Sequence, residues 1–341
     1  MKPVTTDDVF DLLDAYLTSA ALGAAMELGL FWLLAEQPMD AAGVAEALGI
    51  PGNRCQYWLQ ILSHVGLLEQ VAQGYAPSSM AQTAILDAYS WETWAFVAQE
   101  ERMRFPIILD LAQHIRKPGS VWAALGLTPP DYFAQIVESP ERARAFTRML
   151  YEIHLPYAEE LANCLDMSGV ERLMDLGGGS GVVSLALLSR YPHLAAVVVD
   201  IPNVCTAGRE IAMENAMEER ITYHGADFLQ DELPSGFDMV LECDAGPYSE
   251  ALFRKIRAAL NPGGRLVIVG HFVPAEGMVP PSCLYWTFQG SLSNPNSAYT
   301  TTTDIQARLA RAGYQVLSES TLLPRGVRRW SSDWVVIEAR K

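Results

Sequence analysis

Leu173-Met174-Asp175-Leu176-Gly177-Gly178-Gly179-Ser180-Gly181-Val182-Val183 is the stretch whose reading decides the fold. An apolar run enters it as a strand, alternate glycines at 177, 179 and 181 turn the chain, and a helical pattern over 184–190 leaves it. Glycine is required where the backbone takes a positive φ or lies close against a ligand. The first amides of the outgoing helix present donors and a partial positive charge to whatever docks there. An acid, Asp200, closes the next apolar run at 195–200. The strand, turn and helix context makes this a nucleotide-cofactor turn rather than a Gly-rich loop without function.

From Arg172 onward, apolar strands alternate with helices, the pattern of a parallel α/β sheet. Strands are expected near 172–176, 195–200, 221–225, 237–243, 265–270, 314–321 and 333–339, with helices centred on 184–190, 203–217, 249–260 and 303–312. Asn261-Pro262-Gly263-Gly264 is a tight turn feeding the strand at 265–270. The last two strands are joined by a loop rather than a helix, which predicts a terminal hairpin with one antiparallel strand.

Upstream, residues 7–36 carry helical periodicity, and the apolar run 16–34, broken by Glu27, reads as a buried helix rather than a membrane span. A short helix follows between Asp40 as cap and Gly49 as stop, then a helix over 51–65 and a two-stranded wing around Gln73-Gly74. Three helices and a wing describe a winged helix. Residues 1–90 hold only Lys2 and Arg54 against ten acids, so this winged helix lacks the phosphate contacts of a DNA reader and suits a subunit interface. Residues 88–168 form a helical connector dense in aromatics, suited as a group to lining an apolar cleft.

Composition excludes further classes. The 341 residues carry a formal net charge of −16, which argues against a nucleic-acid surface. Five scattered cysteines with no C-x-x-C pair fit a reducing cytosol rather than a disulfide framework or a structural zinc site. Acids at Asp7, Asp8 and Asp11 take the place of a basic leader region, so the expectation is a cytoplasmic protein without a signal peptide or membrane anchor. No metal-ligand spacing is apparent.

The spacing of the turn narrows the cofactor. A dinucleotide turn runs G-x-G-x-x-G, whereas here the third glycine, Gly181, comes two residues after the second and position 182 is Val. That fits a site facing a ribose and an amino-acid tail. Asp200 is placed to accept from both ribose hydroxyls, and Asp227-Phe228 after the third strand offers an acid and an aromatic for an adenine. With Met26-Glu27-Leu28-Gly29-Leu30-Phe31, the helix 146–150, Val199-Asp200-Ile201-Pro202, 225–228 and Pro262-Gly263-Gly264, the chain resembles the class I S-adenosylmethionine-dependent methyltransferases. More narrowly, it is similar to the small-molecule O-methyltransferases with an N-terminal winged-helix dimerisation domain, the plant caffeate and bacterial polyketide tailoring type.

The resemblance implies a Rossmann-like methyltransferase sheet of seven strands, its last hairpin antiparallel, behind a mainly helical winged-helix dimerisation domain. It implies dimerisation through residues 1–95, a connector over 96–168 that contributes to the substrate pocket, and a catalytic domain over 169–341. S-adenosyl-L-methionine is the implied cofactor: Gly177 and Gly179 pass its amino-acid end, Asp200 binds the ribose, and Asp227 with Phe228 the adenine. Asp175, Ile201 and Cys243 join them as cofactor-binding candidates. Phe146, Leu150, Trp286 and Gln289 are the acceptor-binding candidates, and the implied acceptor is a flat aromatic or polyketide-like metabolite.

The chain departs from this family where the chemistry sits. The family's His-Asp-Trp segment, whose His deprotonates the acceptor hydroxyl, is replaced by Leu241-Glu242-Cys243-Asp244-Ala245-Gly246-Pro247-Tyr248-Ser249-Glu250, and the His position falls on Pro247 or Tyr248. The supporting carboxylate expected near 290–300 is replaced by Ser293-Asn294-Pro295-Asn296-Ser297. A phenol of ordinary pKa gains about 10²–10⁴-fold from a base, so Tyr248, His154 and His271 stand as catalytic candidates. Glu242 reads as capping or solvated. O-methylation is the leading expectation. The alternatives are C- or N-methylation, a relative that keeps the cofactor but performs a decarboxylation, hydroxylation or pericyclic step, and a winged-helix regulator that senses the cofactor.

Overall fold

The computed structural model describes residues 4–129, 131–272, 281–296, 300–322 and 334–341. Ser297 and Asp333, which the sequence expectations include, lie outside the described residues. The chain packs as two compact units, Met1–Pro106 and Ile107–Lys341.

In the first unit, Thr5 opens the helix Thr6–Glu27 with a capping box: its hydroxyl accepts from the Asp8 amide and the Asp8 carboxylate accepts from the Thr5 amide. The expected continuous helix over 16–34 is interrupted. Gly29 takes φ +70°, and a Cβ there would lie 3.0 Å from Trp91, so the chain breaks and restarts as Leu30–Glu36. Burial differs from the expectation as well. Ala21, Ala25 and Met26 enter the core, while Phe10, Leu13, Tyr16 and Leu17 on the earlier turns stay more than half exposed. By length and mean hydropathy, Thr6–Glu27 passes the criterion for a helix able to cross a membrane. Its apolar character is instead divided between a core-packing end and an exposed face.

Ala41–Leu48 is capped by Asp40, whose carboxylate accepts from the Gly43 amide at 2.8 Å, and stopped by Gly49 at φ +65°. Gly52–His64 follows, then the antiparallel wing of β1 (Leu68–Val71) and β2 (Gly74–Pro77). Gly74 is required there: φ is +129°, and a Cβ would fall 2.2 Å from the Met39 carbonyl oxygen.

The second unit holds a seven-stranded sheet: β3 (Arg172–Leu176), β4 (Ala195–Asp200), β5 (Ile221–Gly225), β6 (Phe237–Cys243), β7 (Leu260–Gly270), β8 (Gln315–Leu322) and β9 (Trp334–Arg340). The spatial order is β5-β4-β3-β6-β7-β9-β8; the five strands from β5 across to β7 run parallel, and β9 is antiparallel to both its neighbours. β7 starts at Leu260, earlier than its apolar run, because Leu260 pairs with Phe237 before a register shift at the Gly263 turn, where φ is +76°. Successive strand residues face opposite layers. Leu173 packs with Leu161, Leu187 and Val198 on one side, while Met174 and Leu176 pack with Phe253, Ile256 and Ile268 on the other. The strand order reverses between β3 and β6, and that switch point is where an open α/β sheet forms its crevice.

Candidate active site

The turn after β3 is held by strain that only glycine tolerates and by contacts that only glycine permits. Gly177, Gly179 and Gly181 have φ values of +68°, +58° and +75°. A Cβ on Gly178 would sit 2.4 Å from the Asp175 carboxyl carbon, and one on Gly177 would sit 2.3 Å from the Ala245 Cβ. The turn is tied to the sheet at both ends: the Gly177 amide donates to the Val199 carbonyl at 2.8 Å, and the Tyr223 hydroxyl donates to the Ser180 carbonyl at 2.8 Å. Helix Val182–Arg190 then starts at Gly181.

Two acids flank the turn, Asp200 half-buried and Asp175 fully buried. Asp200, at the end of β4, accepts from the Gly179 amide at 2.9 Å and from the Ile201 amide at 2.7 Å. Burial pushes its pKa up to about 6. Asp175 is 1 % exposed, accepts from the Ser184 hydroxyl at 2.7 Å through Oδ2, and is likewise pushed up to about 6 by burial. Its Oδ1 is buried without a hydrogen-bond partner among the described residues. A buried carboxylate oxygen without a donor is costly unless a ligand supplies one.

Ile201 is buried with Ile136, Ala143 and Val204, and Phe146 packs against them, so one cofactor candidate and one acceptor candidate share a cluster. Asp227 accepts from the Leu229 amide at 2.9 Å, and Phe228 lies against Gly177 and Gly246 while its carbonyl holds the Lys255 ammonium at 2.9 Å. Asp175, Gly177, Gly179, Asp200, Ile201, Asp227 and Phe228 therefore converge on the carboxyl ends of β3, β4 and β5.

A second group converges on the ends of β6 and β7. Glu242 is 2 % exposed, and its Oε1 accepts from the Ala245 and Gly246 amides at 2.9 Å each. It caps this turn and is not solvated; burial pushes its pKa up to about 8. Within the turn, Asp244 takes φ +52° and meets His271 with 2.9 Å between Oδ2 and Nδ1. The Tyr248 hydroxyl donates to Asp244 Oδ1 at 3.4 Å, and its ring packs edge-on against Phe272 with centroids 5.0 Å apart. Burial holds that phenol well above its ordinary pKa. His154, on helix Pro140–Cys164, lies edge-on to Tyr157 at 6.0 Å and to Trp334 at 6.3 Å, and burial lowers its pKa. Trp334 also meets the His271 ring at 3.9 Å. Cys243 is half-buried beside Tyr157, and desolvation pushes its thiol up.

The two histidines thus meet at Trp334, and Tyr248 joins them through Asp244. Leu150 is on the same helix as His154. Trp286, 40 % exposed, and half-buried Gln289 lie on a separate helix, Pro281–Ser293. The pairing of Asp244 with His271 and the position of Trp334 were not legible in the sequence. The only signal was a polar residue just beyond the ends of two strands that prove adjacent.

The family model for an O-methyltransferase domain matches residues 109–315, and the model for an O-methyltransferase dimerisation domain matches residues 10–87. The chain belongs to the O-methyltransferase family. It is similar to N,N-dimethyltransferase OxyT of Streptomyces rimosus, at 27 % identity over 97 % of this chain and 96 % of that protein. It is similar also to 3-hydroxy-5-methyl-1-naphthoate 3-O-methyltransferase of Streptomyces sahachiroi, at 32 % identity over 76 % of this chain and 75 % of that protein. The fold matches the mitomycin 7-O-methyltransferase MmcR with a TM-score of 0.82 at 22 % identity, covering 98 % of this chain and 97 % of that one. It matches human N-acetylserotonin methyltransferase in complex with SAM with a TM-score of 0.78 at 21 % identity, covering 100 % of this chain and 98 % of that one.

This O-methyltransferase family member is an S-adenosylmethionine-dependent methyltransferase. The residues present suit that cofactor. The glycine turn leaves a cradle that side chains would fill, and Asp175 keeps one buried oxygen in need of a donor. The bound cofactor would supply a methyl group already activated by its sulfonium.

Proposed function

We propose that this protein methylates a hydroxyl of a small, flat aromatic or polyketide-like metabolite, working as a cytoplasmic homodimer assembled through its N-terminal unit. The observation that carries the reading is the carboxylate of Asp200, locked onto the Gly179 amide at 2.9 Å and so fixed beside the glycine turn. A carboxylate held in this way accepts from both hydroxyls of a ribose while the turn passes the amino-acid end. Asp227 and Phe228 take the adenine, with Ile201 and Cys243 closing the pocket around it. Phe146, Leu150, Trp286 and Gln289 line the acceptor side, and the aromatic residues among them favour a flat ring.

Support for the acceptor class comes from a relative named for a hydroxynaphthoate. Support for the dimer comes from the dimerisation-domain match and the exposed Phe10, Leu13, Tyr16 and Leu17 on the first helix. In-line positioning of an acceptor oxygen against a sulfonium methyl supplies most of the needed acceleration, and the residues after β6 and β7 are left to manage the proton.

Incubation with methyl-labelled S-adenosylmethionine and a panel of hydroxynaphthalenes and hydroxyanthraquinones tests this. The expected result is labelled methyl ether and one equivalent of S-adenosylhomocysteine per product. Label on nitrogen or carbon would move the reading to N- or C-methylation. Converted acceptor without label, with the cofactor unconsumed, would overturn methyl transfer.

A further inference from the structure

We propose that His271, oriented by Asp244, takes the acceptor's proton, so that the base of this enzyme stands at the carboxyl end of β7 rather than after β6. The inference rests on the methyl-transfer reading above. It starts from the register of two adjacent parallel strands. Cys243 lies opposite Val269, and the Asp244 amide donates to the Val269 carbonyl at 2.8 Å, so the next residues of β6 and β7 leave the sheet side by side.

The turn that presents Asp244 is built at a cost. Asp244 has φ +52°, in the left-handed region that non-glycine residues seldom occupy. Such strain persists where surrounding contacts over-determine it. Here Glu242 does so from beneath, by accepting from the amides of Ala245 and Gly246. The strained turn aims the Asp244 carboxylate at Nδ1 of His271. A carboxylate can only accept, so the neutral imidazole carries its hydrogen on Nδ1 and its lone pair on Nε2. Among the described residues Nε2 makes no hydrogen bond. The Trp334 ring, with its centroid 3.9 Å away, packs against the imidazole and restricts its rotation.

Asp244 from the turn after β6 and Trp334 from β9 contact His271, and His154 from helix Pro140–Cys164 acts on it electrostatically; Tyr248 joins through Asp244, and Tyr157, with Cys243 beside it, through Trp334. Among the described residues no carboxylate is hydrogen-bonded to His154, and burial disfavours its charged form. Tyr248 is held protonated by burial and serves Asp244 as a donor. Of the three candidates, His271 alone combines an orienting carboxylate with an unengaged nitrogen among the described residues. It is also near the cofactor turn, because Ala245, next to Asp244, is the residue a Cβ on Gly177 would strike.

The step balances without a further reactant. The acceptor oxygen forms a bond to the methyl carbon, the carbon–sulfur bond breaks with its electron pair on sulfur, and the hydroxyl proton passes to Nε2 of His271. Asp244 is a positioning residue in this scheme, and Glu242 positions Asp244.

The test uses the full chain saturated with S-adenosylhomocysteine and labelled at its histidine nitrogens. The His271 nitrogen resonances are assigned by their loss in H271Q. The expected result is a proton on Nδ1 in the wild type and on Nε2 in D244N, where the carboxamide that replaces the carboxylate donates to Nδ1. In parallel, methyl transfer to 2-naphthol falls about 10²–10⁴-fold in H271Q, with S-adenosylhomocysteine affinity within about twofold of wild type. The deficit shrinks at alkaline pH as the naphthol ionises unaided, and D244N lowers kcat with KM unchanged. A wild-type proton on Nε2, a tautomer unaffected by D244N, or wild-type rates in H271Q at neutral pH would overturn the proposal. Failure of the methyl-transfer reading itself shows separately, as absence of labelled product from the wild type while the tautomer result stands.

Discussion

The turn after β3 and the turn after β6 lie at neighbouring strand ends, yet they secure their geometry by different means. The first is nearly self-contained: four glycines, an acid two residues before them and a helix directly after, within Asp175 to Val182. The second is assembled from distant pieces, since Asp244 depends on Glu242 below it, on His271 across the strand boundary and on Trp334 from the antiparallel β9. A local device can bind a cofactor common to a whole family. A device spread over three strands can be rebuilt one residue at a time, and in this chain the second turn is the one that departs from the family's His-Asp-Trp pattern.

The two halves touch at Gly177, so a change there breaks both. Ala at this position suffers left-handed strain of about 1–2 kcal/mol and overpacking against Ala245 of about 1–3 kcal/mol. Denaturant unfolding of G177A is expected to show a loss of that combined order, with S-adenosylhomocysteine affinity and methyl transfer falling together.

The cofactor half is sharpened by pH. The pKa of Asp200 is raised to about 6 by burial, and in the proposed ribose contact its carboxylate form is the one that accepts from both hydroxyls. Affinity for S-adenosylhomocysteine is therefore expected to be level above that pH. Below it, affinity weakens by up to about tenfold per unit, as read by calorimetric titration, and in D200N the slope disappears.

The other half has its own pH signature, in stability. The folded pKa of Glu242 is about 8, above its ordinary 4.5, so the buried group prefers its proton. Its contribution is fully present below the ordinary value and is lost as pH rises through the folded value. Between those limits, unfolding free energy of the cofactor-free protein is expected to decline by up to about 1.4 kcal/mol per pH unit relative to E242Q. A parallel pair of stability curves would contradict this.

The smallest effect is at Tyr248. Its 3.4 Å contact with Asp244 is long for a hydrogen bond, so Y248F is expected to slow methyl transfer by about two- to fivefold, in line with about 0.5–1 kcal/mol. A loss like that of H271Q would make Tyr248 the proton-handling group instead.

Legibility followed the same division. The strands at 172–176, 195–200, 221–225 and 237–243 and the role of Asp40 as a cap were readable because each depends on a few consecutive residues. So was the glycine turn. The break at Gly29 was not, because it is set by Trp91 packing onto the glycine from a later helix. The early start of β7 depends on pairing with Phe237, and the exposure of the first helix on which of its apolar faces finds a partner within the unit. At the site, His271 and Asp244 were each visible as polar residues near strand ends. Their pairing required the β6 and β7 register, which no local pattern encodes.

If cofactor binding and proton transfer reside in separate halves of one sheet edge, each half should break without the other. Side-by-side measurement of S-adenosylhomocysteine affinity and labelled methyl transfer on D200N and H271Q decides this, using the hydroxyarene the wild type methylates fastest. D200N is expected to lose both, whereas H271Q is expected to keep the affinity while losing transfer. An H271Q enzyme that transfers methyl at the wild-type rate, or one that loses affinity as D200N does, would contradict the division.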